Sequence, residues 1–244
     1  MPKPTCLQLK VQLAEIQSLK KEFDLALGKV RETRQTESLL KMQKEIEEKI
    51  ENLQKEFFSK EIMEKIKDWQ NFYRETFQME TDFSEIEIPE KQEGFERLLI
   101  MQKGLRPQKL FDKCVELFAA KNSMGGNLDE VVISNRNALE QSYAIWVRDN
   151  VEADEGLENI SAVEIAERGL LTETLEERLL DEIKYFKQTG KHLDTVNMTM
   201  CAGSRYVGGR VPRVRWHSGL GGFHVGSYHA GVRDDNLRAR QVIL

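Results

Sequence analysis

The sequence predicts an α+β protein in which a helical, coiled-coil-like N-terminal half carries a small α+β module at its C-terminal end. Two observations carry that prediction. Through the first part of the chain, apolar residues recur at alternating four- and three-residue intervals, the spacing of a helical packing seam. After Gly190 this period gives way to short apolar runs cut by glycine, the mark of strands and tight turns. Charge changes at the same place. Residues 192–244 contain no Lys and no Glu, and their seven Arg outnumber three Asp in a chain of net charge −5.

Leu9, Leu13, Ile16, Lys20, Phe23, Leu27 and Val30 form a first seam, and Leu39, Met42, Ile46, Ile50, Leu53 and Phe57 a second. The two are out of phase, so the polar stretch 31–38 either skips register or reverses the chain into a helical hairpin. Ile62, Ile66, Trp69, Tyr73 and Phe77 continue the helical spacing with aromatic bulk, and the acidic stretch 80–93 with Pro89 reads as a linker. A second helical block is expected over 95–103, over 107–120 with Pro107 at its start, and over 129–150. Asn159 or Ser161 caps a short helix ending near Gly169. Thr172 or Thr174, with Glu176 and Glu177, caps another that ends at Gly190. Strands are expected over 195–201, 210–216, 223–228 and 239–244, with turns at 204–209 and 217–222. So short a set of strands needs a helix to lean on, and Leu179, Leu180, Ile183 and Phe186 supply the face. The regions are 1–90 (helical), 91–133 (helical connection) and 134–244 (the module).

Composition narrows the function classes. No apolar run approaches the roughly 20 residues of a membrane helix, and Lys10, Lys20 and Lys21 interrupt what would be a leader's apolar segment. The expected location is cytoplasmic, with surface display by another route left open. Cys6, Cys114 and Cys201 are scattered, without the spacing of a zinc site or a disulfide framework.

The segments TGKHLD (189–194), MTMCAGSRY (198–206), VPRVRW (211–216) and above all RDDNLRAR (233–240) resemble a C-type-lectin-like family that includes the variable proteins of diversity-generating retroelements. The similarity is strongest to the short versions from ultrasmall uncultured bacteria. It covers about 134–244, including SYAIWVRDNVEADE (142–155). The resemblance implies a C-type-lectin-like module whose surface is rewritten when reverse transcription misreads adenines in a template copy, turning Asn codons into many others. Lys, Glu, Gln, Met and Trp are unreachable that way, and none occurs in HSGLGGFHVGSYHAGVRDD (217–235). Longer relatives carry a G-G-S-W segment where this chain has Gly203, Ser204, Arg205 and Tyr206. Relatives that oxidise cysteine to formylglycine use a cysteine pair where Cys201 stands alone.

His217, His224 and His229 are spaced by seven and five residues, which fits no common metal motif, so they read as recognition side chains. Gly219, Gly221 and Gly222 spell no phosphate loop and read as turn residues. Arg205, Arg210, Arg213 and Arg215 with Tyr206 and Trp216 offer a nucleic-acid patch. Against it, alternation turns Arg213 and Arg215 to one face and leaves Val214 and Trp216 for the core. Arg233, Arg238 and Arg240 are expected to pair with Asp194, Asp234 and Asp235.

The expected function is non-enzymatic ligand binding by a diversified surface, without cofactor or metal. The display residues are His217, Ser218, Leu220, His224, Gly226, Ser227, Tyr228, His229 and Val232. Trp216, Phe223, Val225, Asn236, Leu237, Arg238 and Arg240 form the frame. The partner is an unknown protein or surface ligand. The alternatives are a coiled-coil scaffold that self-associates through its N-terminal helices, and a nucleic-acid module.

Overall fold

The computed structural model describes residues 11–12, 14–22, 24 and 36–244, and the chain divides into two compact units, Met1–Glu80 and Thr81–Leu244. Seam residues Leu9, Leu13, Phe23, Leu27 and Val30, most of the 31–38 stretch, Cys6, and the side chains of Leu39 and Phe57 lie outside the described residues.

The first unit is helical: α1 lies within 11–24, and α2 spans Thr36–Phe77. Lys–Glu pairs one turn apart, at Glu56–Lys60 and Glu61–Lys65, support the long exposed helix. Ile46 and Leu53 are half-buried and Ile50 buried, as the seam predicts, but Met42 is exposed. Lys20 meets Glu47 at 3.4 Å and Asp24 accepts from Gln43 at 3.4 Å. Numbers rise on one helix as they fall on the other, so the two run antiparallel, as in the hairpin alternative. Trp69, Phe72, Tyr73 and Phe77 close α2 with an aromatic cluster, ring centroids 5.1 to 5.8 Å apart.

The second unit is mixed α+β. Two of the expected helices are absent. Residues 95–103 hold strand β1 (Arg97–Met101). Residues 129–150 hold the one-turn helix α4 (Leu128–Val131) and strands β3 (Val132–Ser134) and β4 (Tyr143–Val147). β1 and β4 pair antiparallel, so 91–133 is woven into the unit instead of connecting to it. The reason lies in the pattern: RLLIM and YAIWV are buried almost throughout, and a run without polar interruptions carries no period to read. Helix α3 (Pro107–Leu117) starts at the expected proline. Ser161 caps α5 (Ala162–Glu167), and Thr174 caps α6 (Leu175–Thr189) through a capping box with Glu177. Gly190 ends α6 at φ 68, a conformation that costs glycine nothing.

Five strands make the main sheet, in the order β2 (Ala120–Asn122), β8 (Gly222–Tyr228), β7 (Val211–His217), β5 (Met198–Met200) and β9 (Leu237–Arg238). The β8–β7 and β7–β5 pairs are antiparallel, while β2–β8 and β5–β9 are parallel. The expected strand 239–244 contributes only isolated bridges, Trp146 to Ile243 and Thr172 to Gln241. The first half of the expected turn 204–209 is strand β6 (Ser204–Tyr206), paired with β3. Helix α6 is the core element, with every residue from Leu175 to Lys184 buried. Its apolar face, Leu179, Leu180 and Ile183, is fully enclosed as expected, but its charged face is enclosed too. Among the described residues no helix is long and apolar enough to cross a membrane.

Candidate functional site

The frame begins with Asp194, which the fold holds at φ 52, in the left-handed region that Asp tolerates better than most residues. Its Oδ2 accepts from Arg178 Nε at 3.0 Å and Nη2 at 2.8 Å, and from the Thr199 hydroxyl. Its Oδ1 accepts from Arg240 Nη2 at 2.7 Å and the Ala153 amide at 3.0 Å. All three ionised side chains are essentially inaccessible. Burial alone would raise the Asp194 carboxyl, but Arg240 and Arg178 outweigh it and hold the group below the usual carboxylate range. Arg240 also donates to the Asn150 and Val151 carbonyls at 3.0 and 2.7 Å.

Of the three expected arginine pairings, only Arg240 with Asp194 forms. Arg238 pairs with Glu158 and Arg233 with Glu164, because the residues around Asp234 and Asp235 turn toward solvent and short helices from 155–167 reach the arginines first. Asn236 is exposed and serves the frame through its backbone, its carbonyl accepting from Met198 N. Phe223, Val225 and Leu237 are fully buried. Trp216 is half-buried and stacks on His192, ring centroids 3.4 Å apart.

The register of β7 on β8 divides the display residues. Val214 faces Val225 and Trp216 faces Phe223, toward the core. Arg213 faces Gly226, Arg215 faces His224 and His217 faces Gly222, on the opposite side of the sheet. Strand β2 extends that row, since Lys121 pairs with His224. The His217 and His224 rings lie 6.1 Å apart. Burial, then His217, Lys121, Arg213 and Arg215, push the His224 imidazole below its ordinary value. Gly226 is buried, with the Ser123 Oγ 3.3 Å and the Arg213 guanidinium 3.4 Å from where a Cβ would sit. The same guanidinium sits 4.6 Å from the Tyr228 ring centroid.

The remaining display residues fall elsewhere. Ser227 lies on the core-side register and accepts from Arg210 Nε at 2.9 Å, and Arg210 also contacts the exposed His229 at 3.0 Å. Tyr228 and Val232 are half-buried against a second apolar cluster that includes Leu157, Ile165, Met198 and Leu237. Ser218 is exposed on a short 3₁₀ turn, and the Leu220 side chain lies outside the described residues.

Sequence reasoning missed Lys121 and Ser123, which reach the face only because β2 pairs with a strand about a hundred residues away. It also missed that Glu177, expected only as a capping residue, and Glu173, just ahead of the Thr174 cap, are buried. Glu177 receives Arg136 at 2.6 and 2.7 Å and the Tyr143 hydroxyl at 2.7 Å. Glu173 is fully buried, and neither carboxyl oxygen has a hydrogen-bond partner. Burial, and then the nearby Asp181 charge, push it well above the usual carboxylate range. Cys201 is buried and its thiol is pushed up by burial. Among the described residues no group of three His, Cys, Asp or Glu is placed to hold a metal ion.

No protein-family model, curated protein or solved structure matches this chain.

Proposed function

We propose that the protein binds a ligand through the face formed by β2, β8 and β7, displayed on a C-type-lectin-like frame and diversified by a retroelement. One observation carries the reading. Within β7 and β8, neighbouring residues divide between a sealed interior (Val214, Phe223, Val225) and an accessible side (Arg213, Arg215, His217, His224), so side chains on one side can change without disturbing the other. The segments that carry the resemblance also belong together in space. Asn150 and Val151 from 142–155 accept from Arg240 of the closing segment, and the Asp154 and Ala239 backbones are hydrogen-bonded at 3.0 Å. Small polar residues beside a Tyr and flat guanidinium groups suit recognition by a surface that adapts while its backbone stays rigid.

The test is the DNA flanking the gene. A near-copy of the 3′ end that differs at adenines, next to a reverse transcriptase gene, is the expected finding. Sibling genes should then vary at 217, 218, 224 and 226 and keep Phe223, Val225, Leu237 and Arg240. Changes spread evenly over interior positions overturn the reading.

A further inference from the structure

Most described arginines of the second unit have a carboxylate. Arg97 meets Asp149 and Asp181, Arg136 meets Glu177, Arg148 meets Asp154, and Arg178 and Arg240 share Asp194. On the open face the pattern stops. Among the described residues, no carboxylate lies within ion-pair distance of Lys121, Arg213 or Arg215, although they crowd two adjacent rows of one sheet with two histidines. The Nε atoms of Arg213 and Arg215 are shut off from solvent and have no hydrogen-bond partner. The rest of each half-buried guanidinium stays open to the face, and a bound anion supplies the counter-charge that the fold does not.

From this we infer that the face takes an acidic protein segment, with its carboxylates received by Arg213, Arg215 and Lys121. The inference rests on the proposal above only in taking this face as the binding surface. Arginine suits the task because its planar fork receives a carboxylate through two parallel hydrogen bonds. Nucleic acid fits less well, for two reasons. A phosphate track needs a line of free cations, but Arg205 is spent on the Ala202 and Ser204 carbonyls and Arg210 on Ser227 and His229, which leaves a compact patch. Base stacking needs open aromatic faces, whereas Tyr228 lies under Arg213, Trp216 is stacked on His192, and the Tyr206 hydroxyl is bound to the Met124 carbonyl at 2.6 Å.

The experiment uses the full chain and fluorescence anisotropy with three labelled probes: a Glu-Gly repeat peptide, a Gln-Gly repeat of the same length, and an oligo-thymidine of the same charge as the first. The Glu-Gly peptide should bind, the Gln-Gly peptide should not, and oligo-thymidine should bind at least tenfold more weakly than the Glu-Gly peptide. Arg215→Gln and Lys121→Gln should each weaken the Glu-Gly complex by roughly tenfold, about 1.4 kcal/mol. Lys103→Gln, which removes an exposed charge outside the five-stranded sheet, should leave it unchanged. Oligo-thymidine binding as tightly as the peptide, indifference to Arg215→Gln, or no peptide binding at all each overturns the inference. The outcomes separate from those of the flanking DNA. Peptide binding without an adenine-variant repeat leaves an acid-binding face that is not diversified, and the reverse leaves a diversified face with another partner class.

Discussion

Arginine plays opposite parts in two regions of the second unit. Around Asp194, two guanidinium groups are buried with a shared carboxylate, and every oxygen of that carboxylate is satisfied. On the β7–β8 face, Arg213 and Arg215 are half-buried and have no carboxylate. The two regions differ both in burial and in whether an internal counter-charge is present. A paired buried arginine fixes a loop in place, and removing its partner leaves charge stranded. An unpaired one gives little to folding and is free to act on something outside.

The largest expected effect lies at Asp194. Asn keeps the shape and accepts the left-handed backbone, so Asp194→Asn removes little but the charge. It should cost about 3 to 5 kcal/mol in urea unfolding, the range for breaking a buried pair from one side. A loss under about 1 kcal/mol would erase the contrast between the two regions. The same group sets an acid limit. Its folded-state carboxyl titrates below the unfolded value of about 3.9, so its contribution is present above that value and is lost as pH falls through the lower folded one.

Next in size is Leu237→Ala, at roughly 2 to 5 kcal/mol. Leu237 is fully enclosed in the second apolar cluster, and Tyr228 and Val232 rest on the same cluster. Truncating Tyr228 therefore removes packing as well as a surface group, and Tyr228→Phe is the cleaner probe of recognition.

Glu173→Gln should act in the opposite direction. Because the folded Glu173 carboxyl titrates far above the unfolded value of about 4.3, the native protein holds a proton that the unfolded chain releases. This group thus drains stability as pH rises above that value. The variant lacks that slope, so its melting temperature should exceed the parent's by a margin that grows from pH 5 to pH 8. A constant margin would mean that Glu173 is already neutralised by something else.

These residues also mark where sequence reading succeeds. The caps of α5 and α6 were legible because Ser161, Thr174, Glu177 and Gly190 act within one turn of their own positions. The inward and outward sides of β7 followed from simple alternation. Strands β1 and β4 were not legible, since apolar runs without polar punctuation fit either a buried helix or a buried strand. The acids of α6 look like a solvated face in sequence. Their burial goes with Arg97 and Arg136, which arrive from 84 and 41 residues away and supply the opposite charge to Asp181 and Glu177. Lys121 joined the face through a parallel pairing whose partners no local pattern could name.

On the open face the expected stability changes are small. Arg215→Gln should stay within about 0.5 kcal/mol of the parent, since the guanidinium has no internal partner to strand. The finest test is pH. Burial, His217, Lys121, Arg213 and Arg215 hold the His224 imidazole below its ordinary value, so the folded protein resists a proton that the unfolded chain accepts below about pH 6.5. Stability should fall slightly as pH drops through that region, and His224→Gln should flatten the decline. An acidic peptide seated on the face reverses the balance, because its carboxylates favour the charged imidazole. Melting curves at pH 5 and pH 8, with and without the Glu-Gly peptide, should show the peptide stabilising the parent more at pH 5. They should also show that extra gain shrinking in His224→Gln. Equal stabilisation at both pH values in the parent would place the bound carboxylates away from His224, nearer Arg213 and Gly226.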